Sequence, residues 1–121
     1  MATAAERFSA WGLGLRYDEI PAEVVEAAKL HFLDTIGCGL AAHALGVATE
    51  GRTMMAEQAG TPDATVIGLD RALPGASAAF ANAMLAHGLD FDDTHPASVA
   101  HVSAVVSPAS LAAAEVAGKG G

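Results

Sequence analysis

Asp90-Phe91-Asp92-Asp93-Thr94-His95-Pro96, followed by His101, is where this chain concentrates groups able to move a proton, hold a cation or bind a polar ligand. Three carboxylates within four positions repel one another. Such a cluster is relieved by a bound cation, by protonation of one carboxyl, or by a nearby imidazolium. His87 stands three residues before Asp90 and would share its face if a helix ran that far.

Three chemistries compete for the run. A calcium loop would need an amide or acid and a glycine where Thr94 and His95 stand, and a glutamate at the twelfth position, which is absent. His95 and His101 are six apart, unlike the i, i+4 pair that holds zinc from one helix, so no metal is expected here. In the second reading the run is a polar connection: Asp92, Asp93 and Thr94 cap a helix or accept from loop amides, and Pro96 ends regular structure. In the third, His101 or His95 handles a proton near neutral pH while an aspartate fixes the tautomer of its ring. Residue types alone leave the second and third open.

Two Ala-rich segments must position the run. Upstream, Leu73-Pro74-Gly75 opens a helix with Ala76, Ala79, Phe80, Ala83, Met84 and His87 on its stripe, ending at Gly88. Downstream, Ala104 to Ala117 carries Val105, Val106, Leu111 and Val116, with Pro108 acceptable in a first turn.

Nearer the N-terminus, Phe8, Trp11 and Leu15 mark a short amphipathic helix with Trp11 as a core anchor, Thr3 as its N-cap and Glu6 as the capping-box partner. Pro21 introduces the longest helix, predicted to run to about Ala44 on a stripe of Val24, Ala28, Phe32 and Ile36. Gly37 and Gly39 inside it cost about 1 kcal/mol each against alanine, which points to close approach of another helix. Cys38, with no basic residue near it, reads as a small buried apolar residue, and His31 with Asp34 as a solvated or interhelical hydrogen bond.

Val47 to Ala59 is expected to form a third helix, and residues 64–73 a short β-hairpin around Gly68 to Arg71. The fold class is therefore all-α, a helical bundle with that hairpin as decoration, in a single domain over 1–121.

Composition narrows the partners. Fourteen acidic against six basic residues give a net charge of −8, which disfavours nucleic acid and anionic membranes. One cysteine, Cys38, precludes an internal disulfide and makes a reducing, cytoplasmic setting the default. No stretch approaches the length of uninterrupted apolar residues that a membrane span needs, and no basic-then-apolar leader opens the chain. A 52% apolar composition is rich for so short a chain, so part of that surface should face a partner or missing polypeptide. The apolar helical pattern from Leu111 to Lys119 runs straight into Gly120-Gly121, so the domain is expected to be incomplete.

Leu33-Asp34-Thr35-Ile36-Gly37-Cys38-Gly39-Leu40 and Ala86-His87-Gly88-Leu89-Asp90-Phe91-Asp92-Asp93-Thr94-His95-Pro96 together resemble the N-terminal part of the MmgE/PrpD family. That family includes 2-methylcitrate dehydratase, cis-aconitate decarboxylase and iminodisuccinate epimerase, and the similarity extends from about Phe8 to Glu115. The resemblance implies a helical main domain followed by a smaller α/β lid, a homodimer, and a lyase reaction on a small polycarboxylate without metal or organic cofactor.

The resemblance also implies that Asp90 and His101 line an active site as the catalytic pair, with Thr94 and, secondarily, His95 contacting substrate. Val102-Ser103 departs from the family pattern of Pro or Ser just after the histidine. The family's other active-site residues, a second histidine and lysines, fall outside this chain. That agrees with its charges, since no Lys or Arg lies between Arg71 and Lys119 to hold a polyanion beside three aspartates.

Overall fold

The computed structural model describes residues 1–119. It forms five α-helices: α1 Ala4–Gly14, α2 Ala22–Leu45, α3 Thr49–Met55, α4 Gly75–His87 and α5 Val102–Val116, with a single 3-10 turn at Tyr17–Glu19. No sheet forms among the described residues, and the all-α class read from the sequence holds. Where a hairpin was expected, one antiparallel bridge, Ala64 to Leu73, is all that pairs. Gly68 and its neighbours turn between the two bridge residues without extending the ladder.

The chain divides into two compact units, residues 1–30 and 31–121. In the first, α1 starts as the sequence predicts: Thr3 Oγ1 accepts from the Glu6 amide at 3.2 Å, and the Glu6 carboxylate accepts from the Thr3 amide at 2.7 Å. None of its residues is buried. Trp11, expected as a core anchor, is 59% exposed and meets only Phe8 ring to ring, at 5.5 Å.

The second unit takes α2 from His31 onward and packs α4 against both α3 and α5. Its core is Ala64, Val66, Leu73, Ala78, Ala81 and Ala112. The helices bury their small residues: Thr35, Gly39 and Ala42 on α2; Ser77, Ala78, Ala81, Leu85 and Ala86 on α4; Ser103, Ala104, Ser107, Pro108 and Ala112 on α5. Ile36, Phe80, Met84, Val105 and Val106, the large residues of the predicted stripes, are exposed.

The close approach expected at the α2 glycines is not that of another helix: at Gly39 an added Cβ would sit 2.8 Å from Ile67 Cδ1, in the connection between α3 and α4, with the Ala86 amide nitrogen of α4 at an ordinary 3.8 Å, and beside Gly37 the space is open. Pro108 stands in the interior of α5, not in its first turn. It removes one helical hydrogen bond, a cost of about 3 kcal/mol in an unsupported helix.

Long polar side chains fasten the connections. Arg52 on α3 donates to His43 Nδ1 on α2 at 2.8 Å and to the Ile67 and Gly68 carbonyls at 3.4 Å. Because guanidinium only donates, that His43 nitrogen accepts. No single helix among the described residues is long and apolar enough to cross a membrane.

Candidate functional site

The polar run is the bend between α4 and α5. Helix α4 stops at His87, and the Asp90 amide closes a turn onto the His87 carbonyl at 2.9 Å. Asp90 adopts a left-handed backbone, φ 55°, which aspartate tolerates better than most residues. The helix therefore does not carry His87 and Asp90 onto one face.

Asp93 then reaches across to the next helix: its carboxylate accepts from the Ser103 amide at 3.0 Å and the Ser103 hydroxyl at 2.9 Å. His101, the N-cap residue, makes no side-chain cap of its own, so Asp93 caps α5 from a distance and puts negative charge at the positive end of the helix dipole. His31 Nδ1 lies 3.4 Å from the same carboxylate, so its partner is Asp93 and not Asp34. A tight loop, closed by His95 N–H to the Ala100 carbonyl at 2.9 Å and Val99 N–H to the His95 carbonyl at 2.8 Å, returns the chain to His101.

Asp92 is the centre of the resulting cluster, its side chain fully enclosed. His87 Nδ1 lies 3.1 and 3.2 Å from its two oxygens, and His101 Nδ1 lies 3.2 Å from Oδ2. The two rings meet edge to face with centroids 4.8 Å apart. His101 Nε2 faces Asp90 Oδ1 at 3.6 Å, an ion-pair separation too long for a hydrogen bond. Thr94 Oγ1, at 3.5 Å, is the hydrogen-bond partner of His101 Nδ1, whereas the 3.2 Å approach of Asp92 Oδ2 is a charge contact without hydrogen-bond alignment.

Of the four residues singled out in the sequence, Asp90, Thr94 and His101 come together. His95 turns to Ser98 Oγ at 2.9 Å, within the loop. The sequence reading named His87 and Asp92 but assigned neither to the site. The signal for His87 was its place at a helix end just before Gly88; Asp92 gave none beyond its membership of the run.

One ligand atom from each of His87, Asp90, Asp92 and His101 lies within 4.8 Å of the others, so the four could also surround a cation, in competition with the hydrogen bonds just described. Cys38 shows the local field: burial pushes its thiol up, and the negative charges of Asp34 and Asp92 push the same way.

A cavity of about 380 Å³, lined in part by Ile36, Ile67, Asn82, Leu111 and Glu115, is a separate feature. Two of its polar groups are engaged with the segment after Ala64. Glu115 accepts from the Thr65 amide and hydroxyl at 2.7 Å each, and Asn82 bonds the Ile67 amide and Thr65 carbonyl at 2.9 Å.

Comparison with known proteins agrees with the motif. The chain is 33% identical over 110 residues to the cis-aconitate decarboxylase-like protein oryM of Aspergillus oryzae, covering 91% of this chain and 23% of that protein. It is 34% identical over 121 residues to human cis-aconitate decarboxylase, covering 95% and 24%, and 32% identical over 108 residues to the Aspergillus terreus enzyme, covering 88% and 22%. The chain thus spans less than a quarter of the length of these relatives. No solved structure matches it. Residues 6–121 match the family described as the MmgE/PrpD N-terminal domain, and the chain belongs to the MmgE/PrpD family.

Proposed function

We propose that this chain forms one wall of the active site of a lyase acting on a small polycarboxylate. The observation that carries this reading is the setting of His101, with Nδ1 between Thr94 Oγ1 and the enclosed Asp92 carboxylate and Nε2 toward Asp90. A ring so held is an acid/base group. His101 is assigned the proton or a substrate carboxylate contact, Asp90 is its partner, and Thr94 supplies a hydroxyl. His95 contributes to substrate binding once its Ser98 contact is exchanged.

The relatives' names favour decarboxylation of a cis-aconitate-like substrate over dehydration of 2-methylcitrate. In that reaction the bond to the departing carboxylate breaks, carbon dioxide leaves, and the electron pair left on carbon takes a proton from an imidazolium. The cations that hold the polyanion come from polypeptide outside this chain, since none lies between Arg71 and Lys119. The complete protein is assigned to the cytoplasm and to a homodimer, and needs neither metal nor organic cofactor.

The test is carbon dioxide release from cis-aconitate, and water loss from 2-methylcitrate, by the complete protein and its His101→Ala variant. Loss of turnover with retained helicity is expected, and a near-normal rate would remove His101 from the mechanism. The 121-residue chain alone should turn over neither substrate.

A second reading, a non-catalytic helical dimerisation or binding module, draws on the exposure of Leu33, Leu40, Phe80, Val105 and Val106. Sedimentation distinguishes it: a defined oligomer that binds no polycarboxylate would favour the module.

A further inference from the structure

We propose that His87 is a second working imidazole of this site, held beside His101 by the enclosed Asp92 carboxylate, so that Asp92 is its positioning residue. The proton-handling part of this inference rests on the lyase reading above; the placement by Asp92 does not.

An ionised carboxylate only accepts hydrogen bonds, so a ring nitrogen facing it must carry the hydrogen. His87 presents Nδ1 to Asp92 in a hydrogen bond at 3.1–3.2 Å, and His101 Nδ1 comes within 3.2 Å of the same carboxylate without hydrogen-bond alignment. His87 is therefore held as the Nδ1–H tautomer, the minority form of a free histidine, and keeps Nε2 bare as an acceptor when neutral. An enclosed carboxylate is costly unless it is paired and hydrogen-bonded. Asp92 meets that requirement with a donor from the end of α4, His87, and the close imidazole of His101 at the start of α5.

The pairing has a chemical consequence. Lyase chemistry at carbon needs one group to take a proton and another to deliver one. With one ring protonated and the other neutral, the two imidazoles and Asp92 together carry no net charge, so a single added proton gives the unit an acid and a base at once. The half-exposed His87 ring, 4.8 Å from that of His101, is then available to a substrate bearing a C–H beside a carboxylate. His87 is thus the second proton carrier that this segment itself supplies.

The placement is tested by long-range proton–nitrogen correlation on the chain labelled with ¹⁵N-histidine, at mildly alkaline pH. His87 should show a protonated Nδ1 and a bare Nε2, with its signals assigned by their loss in His87→Gln. Asp92→Leu, which removes the acceptor, should return His87 to the Nε2–H form that predominates in free histidine. An Nε2–H tautomer at His87 in the parent, or an unchanged His87 tautomer in folded Asp92→Leu, would overturn the placement. So would displacement of the His87 Nδ1 signal by micromolar zinc, which would make the cluster a cation site.

The working role is tested in the complete protein. His87→Gln should lower kcat by about a hundredfold, the scale of a lost acid/base group, with KM little changed. A parental kcat would overturn it, and so would a change in KM alone. Should His87→Gln not fold, His87→Phe, which keeps a ring against His101, replaces it. Absence of any polycarboxylate turnover in the parent would defeat the lyase reading, while the tautomers would still decide the placement.

Discussion

Asp93→Ala offers a direct measure of how much the bend between α4 and α5 owes to one side chain. The carboxylate accepts from the Ser103 amide and hydroxyl at 3.0 and 2.9 Å, and Ser103 is itself buried. Truncation leaves both donors without their partner and removes the only side-chain cap of α5. Hydrogen bonds to a charged acceptor contribute about 1.5–3 kcal/mol each, the upper part of that range belonging to enclosed pairs. The Asp93 side chain is a quarter exposed, so water recovers part of the loss. The His31 contact, at 3.4 Å with that ring 54% exposed, contributes little.

The expected destabilisation from Asp93→Ala is about 2–3 kcal/mol. With a urea slope of roughly 1.5 kcal/mol/M, the midpoint should fall by about 1.5–2 M. Asp93→Asn keeps one acceptor for the amide and should lose about 1 kcal/mol. Urea unfolding followed by circular dichroism reads both variants. An Asp93→Ala midpoint within about 0.3 M of the parent would refute the distant cap as a significant support.

Two further outcomes follow from the backbone and the charges. Val99 is β-branched, 76% exposed and left-handed at φ 51°, so Val99→Asn should relieve strain without loss of packing and raise stability by about 0.5–1 kcal/mol; a lower melting temperature would contradict this. The Thr3 amide and hydroxyl hold the Glu6 carboxyl below the usual carboxylate range. Its stabilisation of α1 is therefore present above the ordinary range and lost as pH falls through the depressed value. Amide shifts of residues 3–7 should follow that loss into acid and stop doing so in Glu6→Gln; an unchanged profile would count against the capping box.

Element order was legible in the sequence because local chemistry sets it. The capping box at Thr3 and Glu6, Pro21 before the long helix and Gly88 after the fourth each act within a few residues. The buried faces were less legible. Hydrophobic periodicity weights large side chains, and so selected Ile36, Phe80 and Met84, whereas the helices meet on Gly39, Ala78, Ala81 and Ala112. The site divides in the same way. Residue types marked the run, but which carboxylate is central depends on contacts that span the bend: Asp92 to His101, and Asp93 to Ser103. His87 and Asp90 would share a face only on a helix that reached Asp90, and the helix ends at His87.

A core of alanines has an energetic consequence for the site. Apolar burial contributes about 25 cal/mol per Å², and small side chains bring little area to it. Position in this fold therefore rests on directional contacts: Glu115 on Thr65, Asn82 on Ile67 and Thr65, Arg52 on His43, Asp93 on Ser103 and Asp92 on His87. Two of these five lie in the polar run. Asp93 ties the run to α5, and Asp92 holds His87 beside His101. A substitution at either disturbs stability and chemistry together, and loss of activity alone cannot say which role failed. Ring tautomer separates them, since it reports the hydrogen on one nitrogen and not the persistence of the fold.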